Sequence, residues 1–310
     1  MSKETELVII GGGIAGVAAA VYARRSGLEF LMFELGAIGG QLNFMESIDN
    51  YIGLQLGTKG RDLAAALSKT LTDLAIEVKA KGITKFKIEG KSISLEANGF
   101  KALAKTAIIA TGASFKKLGV KGEDGFLGKG VSYCAVCDGF FFRKKDVVVV
   151  GGGNTAVEEA LYLSDIVNKV TLIHRRDKLR ALDYLQKELF KKSNIEVLFD
   201  SVITEVKGDE LLKELAVENV KSGQTFDLAA QGLFVAVGVK PNTEIFGNAV
   251  SVDEGGFILC DEGVQTSCDF IWAVGDCRQR PLRQLITAAS EGAIAAVSAY
   301  KYLRGHYIST

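Results

Sequence analysis

The chain carries VIIGGGIAG at residues 8–16 and, 140 positions later, VVVGGGNTA at residues 148–156. Each stretch begins with β-branched residues, which favour a buried strand, and continues through a glycine turn into a helix-forming segment. Strand, glycine turn and helix in this order form the dinucleotide-binding pattern of a βαβ unit. A single glycine turn also occurs for purely structural reasons. Its repetition within one chain predicts an α/β protein with two Rossmann-like domains.

The glycines of each motif have a physical task. A glycine at the turn lets the backbone bend sharply and approach a pyrophosphate without an intervening Cβ. The helix that follows presents free N–H groups and its positive dipole end to the phosphates. The predicted binding residues are Gly11, Gly13 and Gly16 in the first motif, and Gly151, Gly153, Asn154, Thr155 and Ala156 in the second.

The two motifs differ at the end of the strand that follows each helix. In the first, the strand ends at Glu34, whose carboxylate suits an unmodified ribose and repels a 2′-phosphate. We therefore expect FAD there, or alternatively NAD. In the second, the strand ends at His174, Arg175 and Arg176, with Arg180 one helical turn further on. These guanidinium groups suit a phosphate and predict NADPH, although a solvated run of charges is the alternative.

Length and charge limit the classes of protein to consider. A chain of 310 residues exceeds the size at which one hydrophobic core stops growing, so two domains are expected. The 37 basic and 37 acidic residues balance, which gives no long-range attraction to nucleic acid or to an anionic membrane. The sequence shows no run of 18 uncharged apolar residues and no signal peptide, so a cytoplasmic location is expected.

A Cys-x-x-Cys pair, Cys134 and Cys137, precedes the second glycine motif. In a reducing compartment such a pair is more often redox-active or metal-binding than structural. The other three cysteines form no second pair, so no metal site is expected. Two unrelated buried thiols are the remaining alternative. A reducible disulfide is the preferred interpretation, with Asp138 as the acid that protonates a leaving thiolate.

The C-terminal segment indicates how the domains are connected. An apolar strand that ends near Ile109 is followed by a glycine-dotted stretch without periodicity, residues 114–130, which we interpret as a linker. Pro241 breaks the chain again after the second domain. A lone nucleotide-binding unit does not need the strand before Gly275 and Asp276, nor the long helix from Leu285. The predicted domains are therefore 1–114 with 241–310, and 115–240 as an insertion.

The sequence resembles the low-molecular-weight, bacterial-type thioredoxin reductases along nearly its whole length. The resemblance rests on residues 11–16, 39–41, 110–113, 134–139, 151–156 with Glu158 and Glu159, 174–176, 180, 275–276 and 283–284. The position of the cysteine pair is its most specific element. In the larger relatives similar to glutathione reductase, the redox pair follows the first glycine motif, and residues 39–45 of this chain contain no cysteine.

The resemblance implies an FAD domain interrupted by an NADPH domain. It implies further FAD-binding residues, namely Gly40, Gln41, Asn50, Thr111, Gly112, Gly275, Asp276, Arg283 and Gln284. It also implies that electrons pass from NADPH through FAD to the Cys134–Cys137 disulfide and then to thioredoxin or a similar small dithiol protein. By analogy Cys137 faces the flavin, Cys134 meets the partner and Asp138 donates a proton. The family analogy further suggests a homodimer.

One consequence of this arrangement is mechanical. If one inserted domain carries both the dithiol and the nicotinamide site, both cannot face one flavin at once, so the domain must swing between two poses. Residues 114–119 and 239–242 are the predicted hinges. There are two functional alternatives: a reductase of another dithiol protein, and a redox sensor that does not turn over.

Overall fold

The computed structural model describes residues 2–45 and 47–305. None of the helices in these ranges is both long and apolar enough to cross a bilayer. In chain order, the strands and α-helices of the described residues are β1 (Lys3–Ile10), α1 (Ile14–Arg25), β2 (Phe30–Glu34), α2 (Gly60–Asp73), β3 (Val78–Ala80), β4 (Lys85–Glu89), β5 (Ser92–Ala97), β6 (Phe100–Ile109), β7 (Ala113–Phe115), β8 (Val131–Ser132), α3 (Ala135–Asp138), β9 (Asp146–Gly151), α4 (Asn154–Ser164), β10 (Lys169–Ile173), α5 (Asp183–Lys191), β11 (Ile195–Leu198), β12 (Ser201–Gly208), β13 (Leu212–Asn219), β14 (Thr225–Ala229), β15 (Gly232–Ala236), β16 (Val239–Pro241), β17 (Ile271–Ala273) and α6 (Leu285–Leu303).

The chain folds into two compact units. The first contains the described residues up to Ser114 and from Lys240 onward, and the second spans Phe115–Val239. The chain therefore passes twice from one unit to the other.

The first unit is built on a sheet in the order β3-β2-β1-β6-β5-β4, with β17 also paired to β6. The strands β3, β2, β1, β6 and β17 run parallel, whereas β4 and β5 form an antiparallel extension. β17 comes from the C-terminal segment, which thus completes the sheet begun by the N-terminal one.

Helices α1 and α6 pack closely within the first unit because small residues line their contact. The buried alanines of both helices lie in one core cluster. A Cβ on Gly292 of α6 would lie 2.1 Å from the carbonyl oxygen of Ala15 in α1, so only glycine permits this approach. The last described helix is therefore an integral layer of the first unit.

The second unit has a parallel sheet in the order β11-β10-β9-β15-β8 and a three-stranded antiparallel sheet, β12-β13-β14. On one side, α4 and α5 contribute to a core that contains Val149, Leu172 and Phe234. On the other, the antiparallel sheet packs through residues such as Leu215 against Val148. The predicted α/β class with two Rossmann-like units is confirmed.

The prediction that residues 114–130 form a linker is wrong for most of that stretch. Val120 and Phe126 pack against a core cluster of the second unit. Glu123 is 2% exposed, and its carboxylate accepts hydrogen bonds from the backbone N–H groups of Leu118 and Gly119 and from the hydroxyl of Tyr133. The stretch lacks periodicity because it is held by turns and a buried carboxylate rather than by a helix or strand face.

Candidate functional site

The first glycine turn leaves open space in front of helix α1. Gly11 has a φ of +115°, and a Cβ there would lie 2.1 Å from the carbonyl oxygen of Ala110. A Cβ on Gly16 would lie 1.9 Å from the Gly11 oxygen, so the helix packs directly on the turn. A Cβ on Gly13, by contrast, would meet nothing within 4 Å. The space at the N-terminus of α1 therefore fits a phosphate group.

Glu34 holds this turn from the end of β2. Its Oε2 accepts a hydrogen bond from the Gly12 N–H, and its Oε1 accepts one from the Gly36 N–H at 2.7 Å. The Gly39 N–H in turn donates to the Gly12 oxygen at 2.8 Å. The carboxylate is thus fixed beside the glycine turn, where its remaining lone pairs suit the hydroxyl groups of a ribose.

Several predicted FAD residues lie in segments that the fold brings together. A Cβ on Gly40 would lie 3.7 Å from the Cα of Gly13. The Gln41 Nε2 donates to the carbonyl oxygen of Ala113 at 2.7 Å. The Asn50 Nδ2 donates to the Gln284 Oε1 at 2.9 Å, which connects two predicted site residues that are 234 positions apart.

Thr111 and Gly112 are held by Asn242, which the sequence placed only in a predicted hinge and not in the site. The Thr111 Oγ1 donates to the carbonyl oxygen of Asn242 at 2.7 Å, and the Asn242 Nδ2 donates to the Thr111 oxygen at 2.9 Å. Gly112 has a φ of +66°, and its carbonyl accepts from the Asn242 N–H at 3.0 Å. Asn242 thereby fixes the loop that follows β6.

Glu291, on α6, organises the loop that contains Gly275. Its Oε2 accepts from the Gly275 N–H at 2.8 Å and from the Arg280 Nη1 at 3.0 Å, and its Oε1 accepts from the Arg278 Nη1 at 2.8 Å. The side chain of Arg280 is only 4% exposed, and those of Arg278 and Glu291 are 12% and 13% exposed, so both arginines pair with Glu291 largely out of contact with water. No pattern in the sequence distinguishes Glu291 from the other residues of the long C-terminal helix.

Asp276 and Arg283 lie in the same region. Burial raises the pKa of Asp276, while the charges of Arg280 and Arg283 oppose that rise. The Arg283 guanidinium stacks on the Phe257 ring at 4.1 Å from its centroid. Its Nε is buried and, within the described residues, has no hydrogen-bond partner. An unpaired buried donor of this kind fits a site that a ligand acceptor completes.

The second glycine turn resembles the first, except that a histidine replaces the glutamate beside the turn. Gly151 has a φ of +156°, and a Cβ on Gly153 would again meet nothing within 4 Å. A Cβ on Gly152 would lie 2.2 Å from the ring of His174, which therefore occupies the place that Glu34 has in the first unit. Burial lowers the pKa of His174, so a neutral ring replaces the carboxylate.

Three arginines lie in the segment that follows β10 and passes beside this second turn. Arg175, Arg176 and Arg180 are exposed, and none of them forms an ion pair with another residue of the described chain. The backbone N–H of Arg180 donates to the Gly152 oxygen at 2.7 Å, which brings this residue next to the turn. The Asn154 Oδ1 accepts from the Leu182 N–H at 2.9 Å and fixes the same loop. This cationic edge, in which His174 stands where the first unit has the Glu34 carboxylate, suits a 2′-phosphate.

The cysteine pair forms a disulfide at the start of α3. Cys134 and Cys137 are bonded with their Cα atoms 5.3 Å apart. The Cys137 N–H donates to the Cys134 Sγ at 3.2 Å, so Cys134 caps this single helical turn. Both cysteines are half-buried, which leaves the bond accessible to exchange.

Asp138 is connected to the disulfide through Ser132. The Ser132 hydroxyl donates to the Asp138 Oδ2 at 2.5 Å and accepts from the Cys134 N–H at 3.1 Å. Sequence reasoning missed Ser132 because nothing in its spacing distinguishes it from any serine at a strand end. The Ser132 hydroxyl therefore links the Asp138 carboxyl group to the backbone of Cys134.

We expect Gly16→Ala to lower the free energy of unfolding of the first unit by about 3 kcal/mol, since the added methyl group overlaps a backbone oxygen. Thermal unfolding of the cofactor-free protein measures the change. Gly13→Ala is the matched control, because its methyl group enters open space and should leave the stability of the cofactor-free protein unchanged. Equal stability of the two variants would contradict this account of the turn.

Comparisons with known proteins agree with this geometry. A family model described as pyridine nucleotide-disulphide oxidoreductase matches residues 5–292. A thioredoxin reductase from Coxiella burnetii (strain RSA 493 / Nine Mile phase I) is 42% identical over 306 residues, covering 96% of both chains. One from Peptoclostridium acidaminophilum is 36% identical over 313 residues, covering 99% of both. The solved thioredoxin reductase from Streptococcus pyogenes MGAS5005 superposes with a TM-score of 0.94 at 42% identity, covering 98% of this chain and all of that one.

Proposed function

The chain belongs to the pyridine nucleotide-disulphide oxidoreductase family, and we propose that it is a thioredoxin-disulfide reductase that uses FAD and NADPH. The observation that carries this proposal is the Cys134–Cys137 disulfide, which lies in the same unit as the second glycine turn. Thioredoxin reductases similar to this chain at 36–42% identity support the choice of substrate.

We assign FAD to the first unit. The open space at Gly13, the carboxylate of Glu34 and the unpaired Nε of Arg283 fit phosphate, ribose and a ligand acceptor, respectively. The remaining residues of this assignment are Gly11, Gly16, Gly40, Gln41, Asn50, Thr111, Gly112, Gly275, Asp276 and Gln284. The proposed domain boundaries are 114/115 and 240/241; the second lies one residue beyond Val239, where the second compact unit ends.

We assign NADPH to the second unit. The open space at Gly153 fits a phosphate, and the exposed guanidinium groups of Arg175, Arg176 and Arg180 suit the additional 2′-phosphate. His174, which replaces a carboxylate beside the turn, removes the charge that would repel it. The rest of this proposed site consists of Gly151, Asn154, Thr155 and Ala156.

The chemistry of the residues follows from the disulfide. FAD, when bound, supplies the two-electron carrier between NADPH and the sulfur pair. Reduction breaks the bond between Cys134 and Cys137, and the thiolate of Cys134 then attacks a disulfide of the partner. Cys137 completes the exchange and re-forms the bond, while Asp138 donates the proton that a departing thiolate requires.

The partner in this proposal is thioredoxin or a similar small dithiol protein. The enzyme would act as a homodimer in the cytoplasm, without nucleic acid or membrane as a partner. Reduction of another dithiol protein is the nearest alternative, because the surface that selects the partner is not defined by the disulfide itself.

Spectroscopy of the purified protein tests the function. We expect a yellow protein whose flavin absorbance is bleached by NADPH and restored by oxidised thioredoxin over many turnovers. Oxidised glutaredoxin serves as the control partner. A single stoichiometric oxidation without steady turnover would instead identify a redox sensor, and a colourless protein that gains no absorbance with added FAD would contradict the assignment of the first unit.

A further inference from the structure

A buried carboxyl group lies behind the redox helix. Glu159, on α4, accepts a hydrogen bond at its Oε1 from the backbone N–H of Ala135 at 3.4 Å. Ala135 is the first residue of α3 and is fully buried, and it directly follows Cys134. The other oxygen, Oε2, is buried and has no hydrogen-bond partner among the described residues. The carboxyl group therefore contacts the backbone N–H of the residue that follows Cys134, and its second oxygen is available to bind a proton.

The surroundings of Glu159 allow its carboxyl group to gain or lose a proton near neutral pH. Burial raises the pKa of Glu159 to about 7, and only the Ala135 N–H opposes this rise. Its own helix also carries Glu158 and Tyr162. The elements packed against α4 carry the following titratable or charged groups: Cys137 and Asp138 on α3, Asp146 on β9, Lys169 on β10, and Asp183, Tyr184, Lys187, Glu188 and Lys191 on α5.

We propose that Glu159 is a positioning residue of the redox centre that binds a proton when the Cys134–Cys137 disulfide is reduced and releases it when the bond re-forms. The inference rests on the proposed function for the physiological source of the electrons. Glu159 is distinct from Asp138, which lies at the other end of α3 and accepts a hydrogen bond from Ser132. Glu159 acts on the sulfurs through the start of this helix and does not replace Asp138.

The step balances in electrons, protons and charge. Two electrons break the sulfur–sulfur bond, one sulfur takes a proton as a thiol, and the other remains a thiolate. A carboxylate and a thiolate beside the same helical turn repel each other, so the second proton binds to Glu159. The centre carries one negative charge before reduction, on the carboxylate, and one afterwards, on the thiolate. A nucleophilic thiolate thus forms without a second buried charge.

Difference infrared spectroscopy of the purified protein at pH 7.5 tests the proposal, with dithiothreitol as the reductant. This small dithiol reduces the bond whether or not NADPH and flavin pass electrons to it, so failure of the proposed function does not affect the measurement. We expect reduction to produce a new carboxylic acid C=O band and to remove a carboxylate band. Glu159→Gln should lose both changes, because its amide keeps the acceptor for the Ala135 N–H but cannot titrate.

Two control variants assign the band to its residue. Glu158→Gln alters the exposed neighbour on the same helix, and Asp138→Asn alters the other carboxyl group near the sulfurs. Both variants should keep the new band. Persistence of the band in Glu159→Gln, or its loss in Asp138→Asn alone, would overturn the proposal. If Glu159→Gln does not fold, the absence of any new acid band in the unaltered protein would overturn it equally.

Proton counting with a pH indicator provides a second readout that a purely structural role would not change. Dithiothreitol gives up two protons with its two electrons, and the unaltered centre takes up two. We therefore expect close to no net proton release from the unaltered protein and close to one proton released per disulfide from Glu159→Gln. Equal proton release from the two proteins would contradict the proposal.

Discussion

Replacement of Cys134 or Cys137 by serine is expected to abolish thioredoxin reduction completely and to leave reduction of the flavin by NADPH intact. A serine hydroxyl cannot form the mixed disulfide through which electrons reach the partner, because thiolate attack on sulfur is required. Both cysteines lie in the second unit, at α3, whereas the proposed flavin site is built from residues of the first. Rapid-mixing absorbance of the flavin and steady-state reduction of thioredoxin measure the two steps separately.

Cys268→Ser is the matched control for this experiment. Cys268 is a half-buried free thiol of the first unit, and its replacement should leave both steps unchanged. Loss of flavin reduction together with thioredoxin reduction in the Cys134 and Cys137 variants would contradict the proposed order of electron flow.

Neutral replacements of Arg175 and Arg176 should weaken NADPH far more than NADH. A charged hydrogen bond contributes about 1.5–3 kcal/mol, which corresponds to roughly a tenfold to hundredfold weakening of NADPH for each arginine. NADH lacks the 2′-phosphate and should change little. Dissociation constants of the two nucleotides for Arg175→Gln and Arg176→Gln measure the effect.

Lys187→Gln provides the charge-matched control for the arginine variants. Lys187 is exposed on α5 of the same unit, so its replacement changes the net charge equally without altering the strand end. Equal weakening of NADPH and NADH by the arginine variants would show that Arg175 and Arg176 do not contact the phosphate. An effect of Lys187→Gln as large as theirs would indicate a general effect of charge.

The parts of the molecule that could be predicted from sequence are those fixed by local physics. Gly11 and Gly151 were identifiable because a left-handed turn against a neighbouring carbonyl excludes other residues. Glu34 and His174 were identifiable because each follows an apolar strand at a fixed distance from its glycines. The Cys-x-x-Cys spacing of Cys134 and Cys137 indicated a redox pair because such close spacing permits a reducible disulfide.

The parts that could not be predicted depend on tertiary contacts between distant segments. Asn242 pairs with Thr111, and Glu291 binds Gly275, across sequence separations that no periodicity reveals. Glu123 explains why the predicted linker was wrong, since a buried carboxylate in a turn-rich stretch gives no apolar pattern. Glu159 lay within a segment that matches the related reductases, yet only its burial behind α3 distinguishes it from its neighbour Glu158.

The close packing of α6 on α1 has a consequence for biosynthesis. A ribosome delivers α1 before α6, so the alanine face of α1 has no partner until the segment Leu285–Leu303 has been translated. At about 5–20 residues per second this delay is on the order of tens of seconds. The contiguous segment Phe115–Val239 emerges complete in the meantime. We therefore expect the nascent chain to fold its inserted unit before its interrupted unit can close.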